Sequence, residues 1–430
     1  MAKNGEWLCS RGTFILSSLK SLKIKSCFGF FVTDAAGLSS ELAMLFSISP
    51  GSEAKGGLNV SNGSSSFATT MAAPNRDSRC FETFISAEPL AGEGILELFT
   101  RLSVTLNELE ASIVHLMVFG SIDAAAAGTE AMRRVFGRLD WPVTWVEGAA
   151  CDGRPIAGVQ VFALSGGPIE HIELDGQVMG STFVSGAARQ CVLGGLGPGH
   201  LFRPRAQQTQ ETLERLQHAL GQAQFELADV VRTWFFLDGM FSWYDEFNRE
   251  RTRLYSRVKF RSGSVPASTG VGGRNLGGGA LTAAAWAIAP LNSTTRAKEV
   301  PSPLQCPAPA YGSSFSRGME ISTPTGRRLL ISGTASIALG GQTAWRGDIR
   351  KQIALTMEVV ESILRSRGFD LSELTRATAY FKHRSDAGFF TDWCAARHLD
   401  SLPVVAAQCE VCREELLFEL EADAWRGGAF

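Results

Sequence analysis

Residues 416–425 read Leu416-Leu417-Phe418-Glu419-Leu420-Glu421-Ala422-Asp423-Ala424-Trp425, a run in which apolar and acidic residues alternate with a period of two. Successive side chains of a strand point to opposite faces, so Phe418, Leu420, Ala422 and Ala424 share one face and Glu419, Glu421 and Asp423 the other. The apolar set is expected to pack on helices. The acidic set then lines an interior, where carboxylates are costly to ionise unless paired, so at least one is expected to have a raised pKa or a basic partner. Glu419 is the first candidate for chemistry. The competing reading makes Glu419 and Glu421 salt-bridged structural acids.

Working outward, a proline-led strand at Leu402-Pro403-Val404 precedes this run, and before it come a helix at 386–399, a strand at 376–382 and a helix at 348–367. The same order occurs twice earlier. One copy has a helix at 208–222, a strand at 229–236, a helix from Trp243 to about Val258, the strand Val265-Pro266-Ala267-Ser268-Thr269 and a final strand at 280–289. The other has a helix at 94–109, a strand at 113–120, a helix at 126–136, the strand Trp141-Pro142-Val143-Thr144-Trp145 and a final strand at 158–163. Hairpin-like sequence leads each copy, clearest at 328–336. The β-branched and aromatic content of the strands and the helical periods between them give an α+β fold of three repeated units, at 76–168, 169–298 and 299–430. A sheet with helices on one side must bury its other face, and three units can do so by closing their sheets around a common axis, as a homotrimer would.

Residues 1–75 are expected to be a tail. They carry Lys20, Lys23 and Lys25 beside short apolar pieces and then a Gly/Ser-rich run from Gly51 to Ser66, without a sustained period. An organelle-targeting peptide is a minor reading, since Glu6 and the missing amphipathic stripe argue against it. Translation starting at Met71, which opens Met-Ala-Ala-Pro, is the simpler one.

The chain has 430 residues, 45% hydrophobic, with 41 basic against 43 acidic side chains and a formal charge of −2. Such a balance provides no field to recruit nucleic acid, and no apolar run reaches the roughly 18 residues of a membrane span. Nine scattered cysteines fit reduced thiols in the cytoplasm. Cys409 and Cys412 form a Cys-x-x-Cys, but no second Cys or His pair completes a metal site, so neither metal nor cofactor is expected. Cys409 reads as a small core residue. The glycine runs 194–195 and 277–279 lack phosphate-loop or dinucleotide signatures and read as loops, and Trp141, Trp145, Trp234 and Trp243 read as core.

The order of elements, the proline opening each penultimate strand and the acidic last strand resemble the reactive-intermediate deaminase (Rid, or YjgF-like) family across residues 78–428. Within it, the chain is similar to the chorismatases in Arg232-Thr233-Trp234, in Tyr244 through Phe247-Asn248 to Arg251, and in 266–270. Further matches are Tyr311-Gly312 with 314–317, Ser332-Gly333-Thr334-Ala335-Ser336, and Cys412-Arg413 with 416–421. The resemblance implies a chorismate-mutase-like unit fold, an intrachain pseudo-trimer with sheets inside and helices outside, and ligand clefts between units. Two departures stand out. Rid deaminases use an arginine two residues after the proline of the penultimate strand, where this chain has Thr144, Ser268 and Val405. The first copy also adds a unit beyond the usual chorismatase length.

Gln160 and Thr282 are the residues that the other copies' last strands offer in place of the acid, so one cleft, between the second and third copies, is expected to be active. There Glu419 would be a general acid that protonates an enol-ether carbon, after which water or an internal hydroxyl attacks and pyruvate leaves. A dicarboxylate substrate requires fixed cations, for which Arg317, Arg251 and Arg232 are the candidates, each of which reads equally as structural. Tyr244 offers a phenol, and Gly333, Thr334 and Ala335 offer small residues and amides beside the ligand. By the resemblance Cys412 belongs to the cleft as a second catalytic candidate beside Glu419, and Arg413 as a substrate-binding one. The expected function is cleavage of the enol-pyruvyl ether of chorismate or a related cyclic carboxylate, by a monomer or a further homo-oligomer. The alternatives are a diverged imine or enamine deaminase and a non-catalytic binding protein, the latter favoured if large apolar side chains fill the cleft.

Overall fold

The computed structural model describes residues 58–60, 67–72 and 80–428. Lys20, Lys23, Lys25, Cys9 and Cys27, and with them the targeting reading, lie outside the described residues.

The first copy comprises β1 (Leu58–Val60), β2 (Phe67–Ala72), β3 (Phe81–Ala87), α1 (Ile95–Glu108), β4 (Ala111–Gly120), α2 (Ala125–Phe136), β5 (Val143–Glu147), β6 (Ala149–Ala150) and β7 (Ile156–Ser165). The second comprises β8 (Glu170–Leu174), β9 (Gln177–Ser185), β10 (Ala188–Leu196), α3 (Arg205–Gln222), β11 (Val230–Leu237), α4 (Tyr244–Tyr255), β12 (Ala267–Gly272) and β13 (Leu281–Pro290). The third comprises β14 (Arg296–Val300), β15 (Gly318–Thr323), β16 (Gly326–Ala335), α5 (Ile349–Ser366), β17 (Leu374–Phe381), α6 (Ala387–Ala395), β18 (Val404–Gln408) and β19 (Phe418–Gly427). Each strand expected to follow a proline does so, at Val143, Ala267 and Val404, because proline fixes an extended start without forfeiting a ladder bond inside the strand.

The three sheets repeat one order: β1-β2-β3-β7-β4-β5, β8-β9-β10-β13-β11-β12, and β14-β15-β16-β19-β17-β18 with β6 added at its edge. Pairing is antiparallel except for β4–β5, β11–β12 and β17–β18, which are joined through α2, α4 and α6 as parallel neighbours require. β6 leaves the first copy to pair with β18, Ala150 against Ala407.

One face of each sheet packs on its two helices. In the third copy, Asp348 caps α5 by accepting from the Lys351 N–H at 3.0 Å, and the stripe Ile353, Met357, Val360 and Leu364 meets Phe418, Leu420, Ala422 and Ala424. The opposite faces contribute to one cluster containing Phe119 and Phe162 from the first sheet, Trp234 and Trp286 from the second, and Leu330 and Tyr380 from the third. With about 1.5–3 kcal/mol gained per large apolar side chain buried, no sheet could leave this second face in water. Polar groups also cross between copies: Gln160 Nε2 donates to Ala377 O at 2.7 Å, and Arg232 Nη1 to Ile331 O at 2.9 Å.

Four expectations need correction. The tail does not extend to residue 75, because β1 and β2 extend the first sheet and β2 pairs residue by residue with β3. Met71 lies inside β2, opposite Thr83, so a start there would cut the strand. Helix α6 ends at Ala395 rather than 399, since the chain turns back through His398 at φ +57° and Leu399 N–H closes on Cys394 O. Gly194 and Gly195 lie in β10 and not in a loop; the ladder to β13 shifts register between Leu193 and Leu196 around them. Among the described residues, no helix is long and apolar enough to cross a membrane.

Candidate active site

Glu419 sits near the start of β19, paired with Ala335 of β16 and Tyr380 of β17. Its side chain leaves the helix-packed face and enters a cleft of about 710 Å³, whose other wall is α4 and β12 of the second copy. Opposite Glu419, β16 shifts register between Ile331 and Thr334, which brings Gly333 against the carboxyl. A Cβ at 333 would lie 1.9 Å from Glu419 Oε1, so this position tolerates only glycine without displacing the acid. Gly333 N–H donates to Thr269 Oγ1 at 3.0 Å, which ties the third copy's strand to the second copy's.

The acidic face separates into three environments. Asp423 accepts from Arg376 Nε at 3.0 Å and is ion-paired with its Nη2 at 2.9 Å. Glu421, wholly buried, accepts through Oε2 from Arg232 Nη2 at 2.7 Å, from Trp234 Nε1 at 2.9 Å and from Thr269 Oγ1, and through Oε1 from Thr378 Oγ1 at 3.2 Å. Burial pushes its pKa up, but Arg376, Arg232 and the hydrogen bonds outweigh that and hold it below the ordinary carboxylate value. Glu419, 4% exposed, accepts no hydrogen bond among the described residues. Burial first and the neighbouring Glu421 charge second raise its pKa to about 8, against a smaller pull from Arg232 and Arg317. It is therefore a neutral acid at pH 7, with Glu421 as the structural, salt-bridged acid beside it.

Two buried arginines in the cleft lack an acidic partner among the described residues. Arg317 donates through Nε and Nη2 to Cys306 O, at 3.2 and 3.0 Å, and lies 5.4 Å from the rings of both Tyr311 and Phe315. Arg251, 1% exposed, donates to Asn248 Oδ1 at 2.7 Å and to Ser268 Oγ at 3.4 Å, with Nε unpartnered. Neutral acceptors leave both charges uncompensated, a costly arrangement that an anionic ligand would relieve. Arg413 stands over Tyr311 at 5.3 Å and donates to Gly341 O at 2.8 Å.

Tyr244 lines the wall, stacked on Phe247 at 6.1 Å; burial, then Cys412 and Glu419 nearby, push its phenol pKa up, so it remains a neutral donor. Cys412 lines the cleft too, its thiol pushed up to about 12 by burial and by Glu419. A thiol so protonated is no nucleophile. Cys409 is directed elsewhere, its Sγ donating to Glu147 O at 3.1 Å, so the Cys-x-x-Cys does not converge.

Of the residues expected at the site, Glu419, Cys412, Arg317, Arg251, Tyr244, Gly333, Ala335 and Arg413 line the cleft, and Arg232 and Thr334 do not. Arg232 is spent on Glu421, Thr269 and Ile331 behind the cleft wall. Thr334 alternates away from Gly333 and donates to Ser332 O at 2.8 Å. Asn248, Ser268, Tyr311 and Phe315 were not expected to be site residues, although all four lie in the motifs quoted for the resemblance. Register also corrects one equivalence. Glu419 faces Tyr380, the penultimate residue of β17, and the residues facing Phe236 and Phe119, penultimate in β11 and β4, are Thr282 and Gly158. Gln160 is thus the counterpart of Glu421.

No family model matches the chain. A curated 3-hydroxybenzoate synthase of Streptomyces hygroscopicus is 27% identical over 226 residues, which are 46% of this chain and 64% of that protein, so the match spans just under two thirds of the relative. A RutC family protein of Pyrococcus horikoshii is 28% identical over 102 residues, 24% of this chain and 81% of that one. Among solved structures, a chorismatase superposes with a TM-score of 0.57 at 20% identity, covering 81% of this chain and 98% of its own. That coverage exceeds what residues 169–430 could supply, so the first copy has a counterpart in the chorismatase fold and is not an added unit. In fold the chain is chorismatase-like, and in sequence it is similar to a 3-hydroxybenzoate synthase and to a RutC family protein.

Proposed function

We propose that this protein cleaves the enol-pyruvyl ether of chorismate or a closely related cyclic carboxylate, with Glu419 as general acid. The reading rests on one observation: an unbonded carboxyl with a pKa of about 8 shares a cleft with Arg317 and Arg251, which have no acidic partner among the described residues. In the reaction, Glu419 gives its proton to the terminal methylene carbon of the enol ether, and the ether carbon becomes an oxocarbenium centre. Water, or a hydroxyl of the substrate ring, adds there and returns a proton to the Glu419 carboxylate. After water addition the hemiketal loses its hydroxyl proton and breaks the bond from the former ether carbon to the ring oxygen, which takes up a proton, so that pyruvate leaves and the ring keeps a hydroxyl; the cyclic ketal formed by a ring hydroxyl takes up one water and releases pyruvate in the same way. Arg317 and Arg251 would hold substrate carboxylates, the planar guanidinium fork matching a carboxylate in bidentate fashion. Tyr244 would donate to a substrate oxygen.

We infer in addition that the three copies close around a common axis as a homotrimer would. The shared central cluster and the matched pairs Gly333 N–H to Thr269 Oγ1 and Gly195 N–H to Thr144 Oγ1, both 3.0 Å, support this. Imine hydrolysis is favoured by a single observation, that Arg251 reaches Ser268, two residues after Pro266, where deaminases of the family carry their arginine. The open cleft supports an enzyme over a filled, non-catalytic one. The deciding test is pyruvate release from chorismate by the purified full chain beside its Glu419→Gln variant. Release that the variant loses supports the proposal; no release by the folded wild type overturns it and turns attention to imines.

A further inference from the structure

A second cleft, about 910 Å³, opens between the first and second copies at the place where the Glu419 cleft opens between the second and third. One wall is α2 and β5, with Met132, Trp141 and Trp145; the other is formed by β9, β10 and β13, with Met179, Gly195 and Thr282. The frame repeats that of the first cleft. Thr282 faces Phe236 as Glu419 faces Tyr380, and Gly195 N–H donates to Thr144 Oγ1 as Gly333 donates to Thr269. His115 takes the place of Arg232 behind the threonine, its Nε2 lying 2.8 Å from Thr144 Oγ1. The catalytic acid is replaced by a hydroxyl, and no carboxylic acid stands on the strand to donate a proton.

The cleft nevertheless keeps features of a binding site. Trp141 Nε1 and Arg215 Nε are both buried donors without a partner, and both residues line it. Buried donors are nearly always paired in native proteins, and each orphan asks for an acceptor. Arg215 is ion-paired at Nη1 to Asp175, at 2.7 Å, which leaves the Nε edge available. Arg133, also on the cleft, makes no ion pair among the described residues. The apolar lining includes two indoles and two methionines, flat and polarizable surface for a ring, beside aliphatic Leu139, Leu201 and Leu281, and Arg138 is ion-paired to Glu173 at 3.6 Å on the same cleft.

We propose that this second cleft binds a small aromatic carboxylate and holds it without turnover, the carboxylate meeting Arg133, Arg215 Nε and Trp141 Nε1 while the ring lies among Trp145, Met132 and Met179. The site does not depend on what the Glu419 cleft catalyses. The test is isothermal titration of the full chain with benzoate, carried out in an Arg317→Glu background that removes anion binding at the first cleft. Saturable binding should persist there and weaken at least tenfold when Arg133→Glu is added; Arg133 is exposed, so its charge reversal leaves the fold unstrained. Trp141→Phe, which keeps an aromatic ring edge-on to Phe136 and removes the orphan donor, should weaken it several-fold. The proposal is overturned if benzoate binding disappears with Arg317→Glu alone, or if it persists unchanged through both Arg133→Glu and Trp141→Phe.

Discussion

Replacing Glu421 by glutamine should move the alkaline limb of the activity profile toward acid. Glu419 and Glu421 lie two residues apart on one face of β19, hence about 7 Å apart at a strand rise of about 3.4 Å per residue. At an effective dielectric constant near 20, two unit charges at that distance repel by about 2 kcal/mol, or roughly one and a half pH units. Removing the Glu421 charge also leaves Arg232 without its carboxylate partner, and Arg232 already pulls the Glu419 pKa down. The two effects have the same sign. Protonated Glu419 is the active form, so activity falls as pH rises through its pKa, near 8 in the wild type. In the variant the fall should come at about pH 6.5 or below. Pyruvate release measured from pH 5 to 9 gives the profile, and ¹³C NMR titration of the Glu419 carboxyl gives the same shift without substrate. Breaking a buried pair costs about 3–5 kcal/mol, so thermal melts must accompany the assay; glutamine is chosen because its carbonyl oxygen still accepts from Trp234 and Thr269. An unmoved limb and an unmoved titration in a folded variant would refute the electrostatic reasoning, as would a shift to higher pH.

Gly333→Ala should leave the fold measurable by circular dichroism but lower kcat about a hundredfold, the effect expected for a displacement on the order of 1 Å, because the new Cβ pushes the acid out of place. Arg317→Ala should raise KM for a dicarboxylate roughly ten- to hundredfold, the value of one charge-assisted hydrogen bond, and Arg317→Lys should recover only part of it in steady-state kinetics. Cys412 should resist iodoacetamide at pH 8, and Cys412→Ala should keep most of the wild-type kcat, since a thiol with a pKa near 12 contributes shape rather than charge. The raised Glu419 pKa adds stability that is fully present below the unfolded value of 4.5 and is lost as pH rises through about 8. Urea titrations between pH 5 and 8.5 should show this decline in the wild type and a flatter curve in Glu419→Gln.

Much of the molecule was legible from the sequence because repetition and period two are local signals. The order of elements in the three copies, the proline-led strands and the division of β19 into a helix-facing apolar side and an acidic side all follow from side-chain alternation and proline geometry. The opening strands were not legible: β1 and β2 carry no strong pattern and are defined by pairing with β3, a non-local event. Helix ends likewise depended on single residues such as His398 adopting a left-handed conformation.

The sequence by itself determined which residue types reach the site: one acidic strand per chain, a glycine two positions before Ala335, and arginines in three separate motifs. Tertiary structure alone decided what each does. Glu419 and Glu421 are indistinguishable as letters; one meets Arg232, Trp234, Thr269 and Thr378 and ionises, and the other faces an open cleft with no donor and keeps its proton. Arg232 and Arg317 are equally indistinguishable, yet the first is ion-paired with Glu421 and the second, among the described residues, donates only to the neutral Cys306 carbonyl. The physical reason is that charge state and availability are set by neighbours brought from other copies of the repeat, 189 positions away in the case of Arg232 and Glu421, and no local pattern encodes that distance.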